Sequence, residues 1–85
     1  MSTRLYVSNL PVSETEQRLA TRFRKFGVVL SVVLEAVART SRRGAFVEME
    51  TSASALNAIA ALNLSEFDGR LVSVYLALAS VPKTL

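Results

Sequence analysis

Residues 42–49, RRGAFVEM, decide the fold because their side chains alternate with the period of a β-strand. One face of the strand carries small or apolar side chains, as a packed core requires: Ala45, Val47 and Met49. The other face places an aromatic ring among charged side chains: Arg42, Gly44, Phe46 and Glu48. A ring in that setting is typical of a surface that contacts a ligand. The strand therefore predicts both a central place in a sheet and a binding face.

Two further strands are predicted before this one in the chain, and one is predicted after it. Residues 4–10 alternate between apolar and polar side chains, and residues 71–77 do the same. Residues 28–37 form a run of mostly β-branched side chains, which favours a strand. If this run turns Val29, Val32 and Leu34 inward, Val33 and Glu35 share the outer face with Phe46.

Two helices are predicted between the strands. The first begins at Ser13, which has capping-box spacing to Glu16, or at the rival N-cap Thr15, and it ends at Gly27. The second runs from residue 51 or 52 to about residue 63. The inward stripes recur at helical spacing: Leu19, Ala20, Phe23 and Phe26, then Ala55, Ala58, Ile59 and Leu62.

The element order is thus βαββαβ. Short connections and crossover handedness then predict an α+β, ferredoxin-like sandwich: a four-stranded antiparallel sheet with two helices on one face. The other face of the sheet is left open. It is expected to carry an uncommon number of aromatic rings for a solvated surface. Its predicted members are Tyr6, Ser8, Val33, Glu35, Arg42, Gly44, Phe46, Glu48, Ser73 and Tyr75.

The composition narrows the function. Eighty-five residues, 51% hydrophobic and 20% charged, make one small folded domain with a net charge of +3. The absence of cysteine and histidine excludes disulfides, thiol chemistry, imidazole catalysis and the usual zinc sites. We therefore expect no enzyme activity and no cofactor. With no signal region and no long apolar run, we expect a soluble protein of the cytoplasm or nucleus that is not secreted.

Rings on an open sheet suit single-stranded nucleic acid. An unpaired base stacks on an aromatic side chain, and arginines neutralise the phosphates beside it. We therefore predict that Tyr6 and Phe46 stack on bases. Phosphate contacts are assigned to arginines near the end of the same sheet: Arg39, Arg42 and Arg43. Base selection is assigned to short polar and phenolic side chains and one carboxylate: Ser8, Glu48, Ser73 and Tyr75.

The same residues carry a family resemblance. Residues 5–10, LYVSNL, look like the six-residue first-strand signature of the RNA recognition motif, and residues 43–49, RGAFVEM, resemble its eight-residue third-strand signature. The resemblance extends over essentially the whole chain, with residues 1–79 as the domain and residues 80–85 as a tail. It implies single-stranded RNA as the partner, with Tyr6 and Phe46 as stacking rings. Single-stranded DNA stays open as a ligand.

The third-strand signature departs from the family pattern at one ring. Gly44 stands where the first aromatic residue of that signature is expected, or that residue is deleted between Gly44 and Ala45. We therefore expect a gap on the face and weaker RNA binding, by roughly 5- to 150-fold for one lost stacking ring.

The missing ring favours an alternative: a protein-interaction module with weak RNA affinity. A protein partner or a second copy of the chain would bind through the sheet face, where Val33 is apolar, or through the second helix, where Leu56 lies off the inward stripe. A third arrangement has Leu78 and Val81 folding back over the sheet. A membrane partner is not expected.

Overall fold

The computed structural model describes residues 3–35 and 43–77. Within those residues two helices and six strands follow one another along the chain. In order they are β1 (Thr3–Leu10), α1 (Glu16–Arg24), β2 (Val29–Leu34), β3 (Arg43–Met49), α2 (Ser52–Leu62), β4 (Glu66–Phe67), β5 (Arg70–Leu71) and β6 (Ser73–Leu76).

Four of the strands form one antiparallel sheet in the order β2-β3-β1-β6. The two strands that carry the signatures, β1 and β3, therefore lie side by side at its centre. Helix α1 packs on β2, and α2 packs on β1, β3 and β6. The predicted sandwich with a four-stranded sheet is confirmed. The short strands β4 and β5 pair separately as a small hairpin that was not predicted.

The core lies between the helices and one face of the sheet. Its side chains have exposed fractions of 1% or less. It contains the predicted inner face of β3 and the buried positions of both helices: Ala45, Val47, Met49, Leu19, Phe23, Ala55 and Ala58. Phe67 joins it from the β4–β5 hairpin. Phe67 is not among the inward residues that the sequence patterns predicted.

Both helices begin at a threonine. The side chain of Thr15 accepts a hydrogen bond from Arg18 N at 3.1 Å, and that of Thr51 accepts one from Ser54 N at 3.1 Å. The choice of Ser13 as the first N-cap is therefore wrong, and the rival, Thr15, is right. The chain still turns after Pro11, where Glu14 N bonds to Pro11 O at 3.1 Å. The helix can therefore start only beyond that turn.

A β-bulge explains how β2 covers the core. The pairing of β2 with β3 shifts between Val29 and Ser31, so one extra residue lies between them. Val29 and Val32, three positions apart, both pack against the core as a result, together with Leu34. The predicted inward set of β2 is confirmed.

No helix in residues 3–35 and 43–77 is long and apolar enough to cross a lipid bilayer. The predicted cytoplasmic or nuclear location stays a prediction. So does the domain boundary at residue 79, because it lies beyond the described residues, as do Leu78 and Val81.

Candidate nucleic-acid interface

A row of four side chains crosses the open face of the sheet, one from each strand. Tyr6 of β1 is paired with Phe46 of β3 on one side and with Tyr75 of β6 on the other. Phe46 is paired in turn with Val33 of β2. We call this set, Val33, Phe46, Tyr6 and Tyr75, the ring row. It brings together three of the predicted site residues, Tyr6, Phe46 and Tyr75, which are far apart in the sequence.

The three rings of the ring row contact one another. The centroids of Tyr6 and Phe46 are 5.0 Å apart with an interplanar angle of 62°, an edge-to-face contact. The centroids of Tyr6 and Tyr75 are 5.6 Å apart at 42°. Tyr75 is 50% exposed, and Tyr6 and Phe46 are partly buried. The three rings therefore form one contiguous aromatic patch whose ring planes are inclined to one another.

On one side of the ring row lies a charged row. Glu48 of β3 is paired with Arg4 of β1 and with Ser31 of β2. Ser31 Oγ donates to Glu48 Oε1 at 3.4 Å. The Arg4 guanidinium carbon is 5.7 Å from the centroid of the Phe46 ring. The sequence assignment missed Arg4 as a site residue, although strand alternation places it on the same face as Tyr6.

On the other side of the ring row lie two serines and a carboxylate. Ser8 of β1 is paired with Ser73 of β6, which places both predicted serines together. Across the sheet, Glu35 follows the end of β2, and its N–H donates to Gly44 O at 2.9 Å. Tyr6 Oη donates to Glu35 Oε1 at 2.7 Å. We call this last contact the Tyr6–Glu35 pair.

The gap predicted beside Gly44 is occupied by the Tyr6–Glu35 pair. A Cβ atom added at Gly44 would lie 2.6 Å from both Glu35 Oε1 and Tyr6 Cζ, and would overlap Tyr6 Oη. The third ring is absent, as the sequence requires, and these two polar groups lie where its side chain would begin. A glycine at this position lets the Tyr6 hydroxyl pass over the strand to reach Glu35.

The pair also changes the acidity of the phenol. Burial, followed by the hydrogen bond and the negative charge of Glu35 and a smaller effect of Tyr75, raises the pKa of Tyr6 to about 12 from its ordinary value of 10.0. The raised pKa extends the pH range over which Tyr6 keeps its proton and can donate it to Glu35.

Arg43 points away from the open face. It is paired with Leu10, and its guanidinium binds three backbone carbonyls. Nε donates to Glu35 O at 3.1 Å, and Nη1 donates to Val12 O at 3.0 Å and to Glu14 O at 3.1 Å. Arg43 thus ties the β1–α1 loop to the end of β2. Its predicted phosphate contact stays a prediction, and Arg39 and Arg42 lie outside the described residues.

Two arginines of α1 surround a buried carboxylate on the helix side of the sheet. Glu14 is 1% exposed, and Arg22 Nε donates to its Oε2 at 3.2 Å. Arg18 lies 3.8 Å from Glu14 Oε1 and 3.2 Å from Asp68. The Arg22 guanidinium also lies over the Phe67 ring at 3.9 Å. The arrangement holds α1 to the β4–β5 hairpin.

Within residues 3–35 and 43–77 no group of three or more His, Cys, Asp or Glu side chains could hold a metal ion.

The family is identified by comparison with known proteins. A family model described as RNA recognition motif matches residues 5–73, and the chain belongs to that family. It is 39% identical over 79 residues to glycine-rich RNA-binding protein 1 of Mycosarcoma maydis, covering 91% of this chain and 45% of that protein. The chain thus spans less than half the length of that relative.

Solved structures agree with the fold. A chain of the SXL-lethal protein/RNA complex superimposes with a TM-score of 0.77 at 37% identity, over 88% of this chain and 47% of that one. A chain of the NONO-1 homodimer of C. elegans superimposes with a TM-score of 0.76 at 29% identity, over 89% of this chain and 29% of that one.

Proposed function

We propose that this chain is a single-stranded RNA-binding module whose ring row stacks on unpaired bases. The observation that carries the proposal is the contact between Phe46, Tyr6 and Tyr75 across three neighbouring strands of an open face. Stacking of one base on an aromatic side chain contributes about 1–3 kcal/mol. Two stacked bases would contribute about 2–6 kcal/mol, and the upper end corresponds to a dissociation constant of tens of micromolar. Family membership and the likeness to a chain from a protein/RNA complex support the same reading.

The polar groups around the ring row complete the proposed site. Arg4, exposed beside Phe46, is suited to a phosphate or to stacking on a base. Ser8, Ser73 and Glu48 offer hydrogen-bonding groups to base edges. The proposal keeps Arg39 and Arg42 as phosphate contacts in the segment outside the described residues. Single-stranded DNA offers the same base faces, so it is a second ligand to be measured.

The test compares ring and non-ring positions of the same row. Phe46→Ala and Tyr6→Ala are each expected to weaken binding of short single-stranded RNA by roughly 5- to 150-fold at fixed salt, because each removes a stacking surface. Val33→Ala is the matched control, since Val33 is 54% exposed in the same row but has no ring. Fluorescence anisotropy titration measures the three affinities, and circular dichroism checks each fold. Equal losses at Val33 and Phe46, or no loss at either ring, would contradict stacking.

A second candidate function is a protein-interaction module. Val33 on the open face and Leu56 on α2 are each 54% exposed. The open face carries two carboxylates, Glu35 and Glu48, against the one cation Arg4 among the described residues. The described part of the open face is therefore poorly suited to a polyanion. Sedimentation measurements over a range of protein concentrations test self-association, and a mass that stays monomeric would count against a homotypic interface.

A further inference from the structure

The main chain and the side chain of Glu35 both form hydrogen bonds, although Glu35 is an exposed residue that follows an edge strand. Its backbone N–H donates to Gly44 O at 2.9 Å, and its carbonyl accepts from Arg43 Nε at 3.1 Å. Its carboxylate accepts from the Tyr6 hydroxyl at 2.7 Å. An exposed side chain normally samples several rotamers. The two backbone bonds hold the main chain of Glu35, and the bond from the Tyr6 hydroxyl orients its carboxylate at one place on the open face.

That place is the position of the missing ring. An added Cβ at Gly44 would collide with Tyr6 and would lie 2.6 Å from Glu35 Oε1. The glycine therefore does more than remove a stacking surface. It admits an oriented acceptor at the edge of the remaining rings, where the edge of a stacked base would lie.

We propose that the Glu35 carboxylate, oriented by Tyr6 over Gly44, selects a guanine base stacked on the ring row. This inference rests on the proposed function, since it requires a base on the rings. It adds the identity of one preferred base. At Gly44 the sheet lacks an aromatic ring, which would stack on any base. In its place lies a carboxylate, which would form hydrogen bonds with one kind of base.

The chemistry of the base edges favours guanine. An ionised carboxylate only accepts hydrogen bonds, and its two oxygens offer about four acceptor sites, of which Tyr6 uses one. Guanine presents two adjacent donors, N1–H and the N2 amino group, which match the two oxygens of a carboxylate. Adenine and cytosine each present one amino group beside a ring nitrogen that accepts, so one carboxylate oxygen would face a lone pair. Uracil presents a single N–H between two carbonyl oxygens.

Glu66 provides the comparison outside the open face. It is an exposed glutamate of β4, which pairs with β5 in a separate hairpin and not with the four-stranded sheet. Replacing Glu66 or Glu35 by Gln makes the same change of side chain. A general effect of a glutamate on RNA binding would therefore be seen at both residues, whereas selection of a base on the ring row would depend on Glu35.

The experiment measures binding of short U-rich ribonucleotides that contain one central G, A, C or inosine. The full chain is titrated with each of them at fixed salt. We expect the G oligonucleotide to bind about tenfold tighter than the A and C oligonucleotides, the effect of one good bidentate contact. Inosine keeps N1–H but lacks the amino group, so it is expected to bind a few-fold more weakly than G. Glu35→Gln should abolish the preference for G over inosine, and the matched control Glu66→Gln should retain it.

Two results would overturn the inference. One is equal binding of the G and A oligonucleotides by the unaltered chain. The other is an unchanged G preference in Glu35→Gln, with circular dichroism showing both variants folded. The proposed function fails separately: it is lost when none of the four oligonucleotides binds or when Phe46→Ala binds all four as well as the unaltered chain does. Binding that depends on Phe46 but not on the base rejects guanine selection and retains RNA binding.

Discussion

The two faces of the central sheet are made by the same strands, yet they differ in what holds their side chains. On the helix side, Leu5 and Val47 are fully buried among apolar neighbours. On the open side, the rings of Tyr6 and Phe46 are in edge-to-face contact and remain partly exposed. The apolar core on the helix side is specified mainly by the volume of its side chains. The open side is specified by particular contacts, so single substitutions there are expected to change binding more than folding.

A pair of glutamates shows the same contrast. Glu14 is buried on the helix side and bound by Arg22, with Arg18 close by, so its charge is part of the structure. Glu35 is exposed on the open side and accepts from a neutral phenol. Glu14 has an opposite charge beside it, whereas Glu35 keeps acceptor capacity for a ligand. Burial and the type of partner therefore separate a structural carboxylate from a recognition carboxylate.

The largest expected effect is a difference in the free energy of unfolding between alanine variants of two phenylalanines on opposite faces of the sheet. Phe23→Ala removes a fully buried ring from the core and should lower the free energy of unfolding by about 3–5 kcal/mol. Phe46→Ala removes a partly exposed ring and should cost about 1 kcal/mol or less. Urea denaturation followed by circular dichroism measures both values. A similar loss in the two variants would show that the open face helps to hold the fold and would break the comparison.

A smaller effect is expected from the two glutamates. Glu14→Gln leaves Arg22 beside a buried group without charge, and should destabilise the fold by about 2 kcal/mol, since Arg22 is partly exposed and screened by water. Glu35 is exposed, so Glu35→Gln should change the free energy of unfolding little. The midpoint of urea denaturation at neutral pH measures the difference. Equal midpoints for the two variants would mean that the Glu14 cluster contributes nothing to stability.

The smallest effect concerns the proton of Tyr6. Near pH 10 the unfolded chain begins to lose the Tyr6 proton. The folded chain keeps this proton at that pH, because folding raises the pKa of Tyr6 to about 12. The stability that the Tyr6–Glu35 pair contributes is therefore complete below about pH 10 and is lost as the pH rises towards 12. The chain has two tyrosines, so Tyr75→Phe leaves Tyr6 as the only phenol to titrate by its ultraviolet absorbance.

Glu35→Gln in the Tyr75→Phe background sharpens that measurement. The midpoint should fall, because the hydrogen bond and the charge of Glu35 both hold the proton on Tyr6. It should stay somewhat above 10, because burial is the largest cause of the shift. A midpoint near 10 before the Glu35 change would mean that the Tyr6–Glu35 pair is not formed in solution.

Much of this protein is determined by local sequence. Alternation around Phe46, the helical stripes around Phe23 and Ala58, and Gly and Thr at element ends predicted the order of elements along the chain, the four-stranded sheet and its inner face. These patterns are local, with periods of two or 3.6 residues, so they can be recognised without knowing which strands meet. The prediction of Ser13 as an N-cap failed because two candidates two positions apart have the same local signal.

Only the tertiary structure decided how side chains from different strands meet. Register placed Tyr6 between Phe46 and Tyr75, and it turned Arg43 towards the loop carbonyls instead of the open face. It also brought Glu35 to the space above Gly44, which the sequence left as a gap. The physical reason is distance along the chain. Tyr6 and Glu35 are 29 residues apart, and no local pattern encodes a hydrogen bond between them.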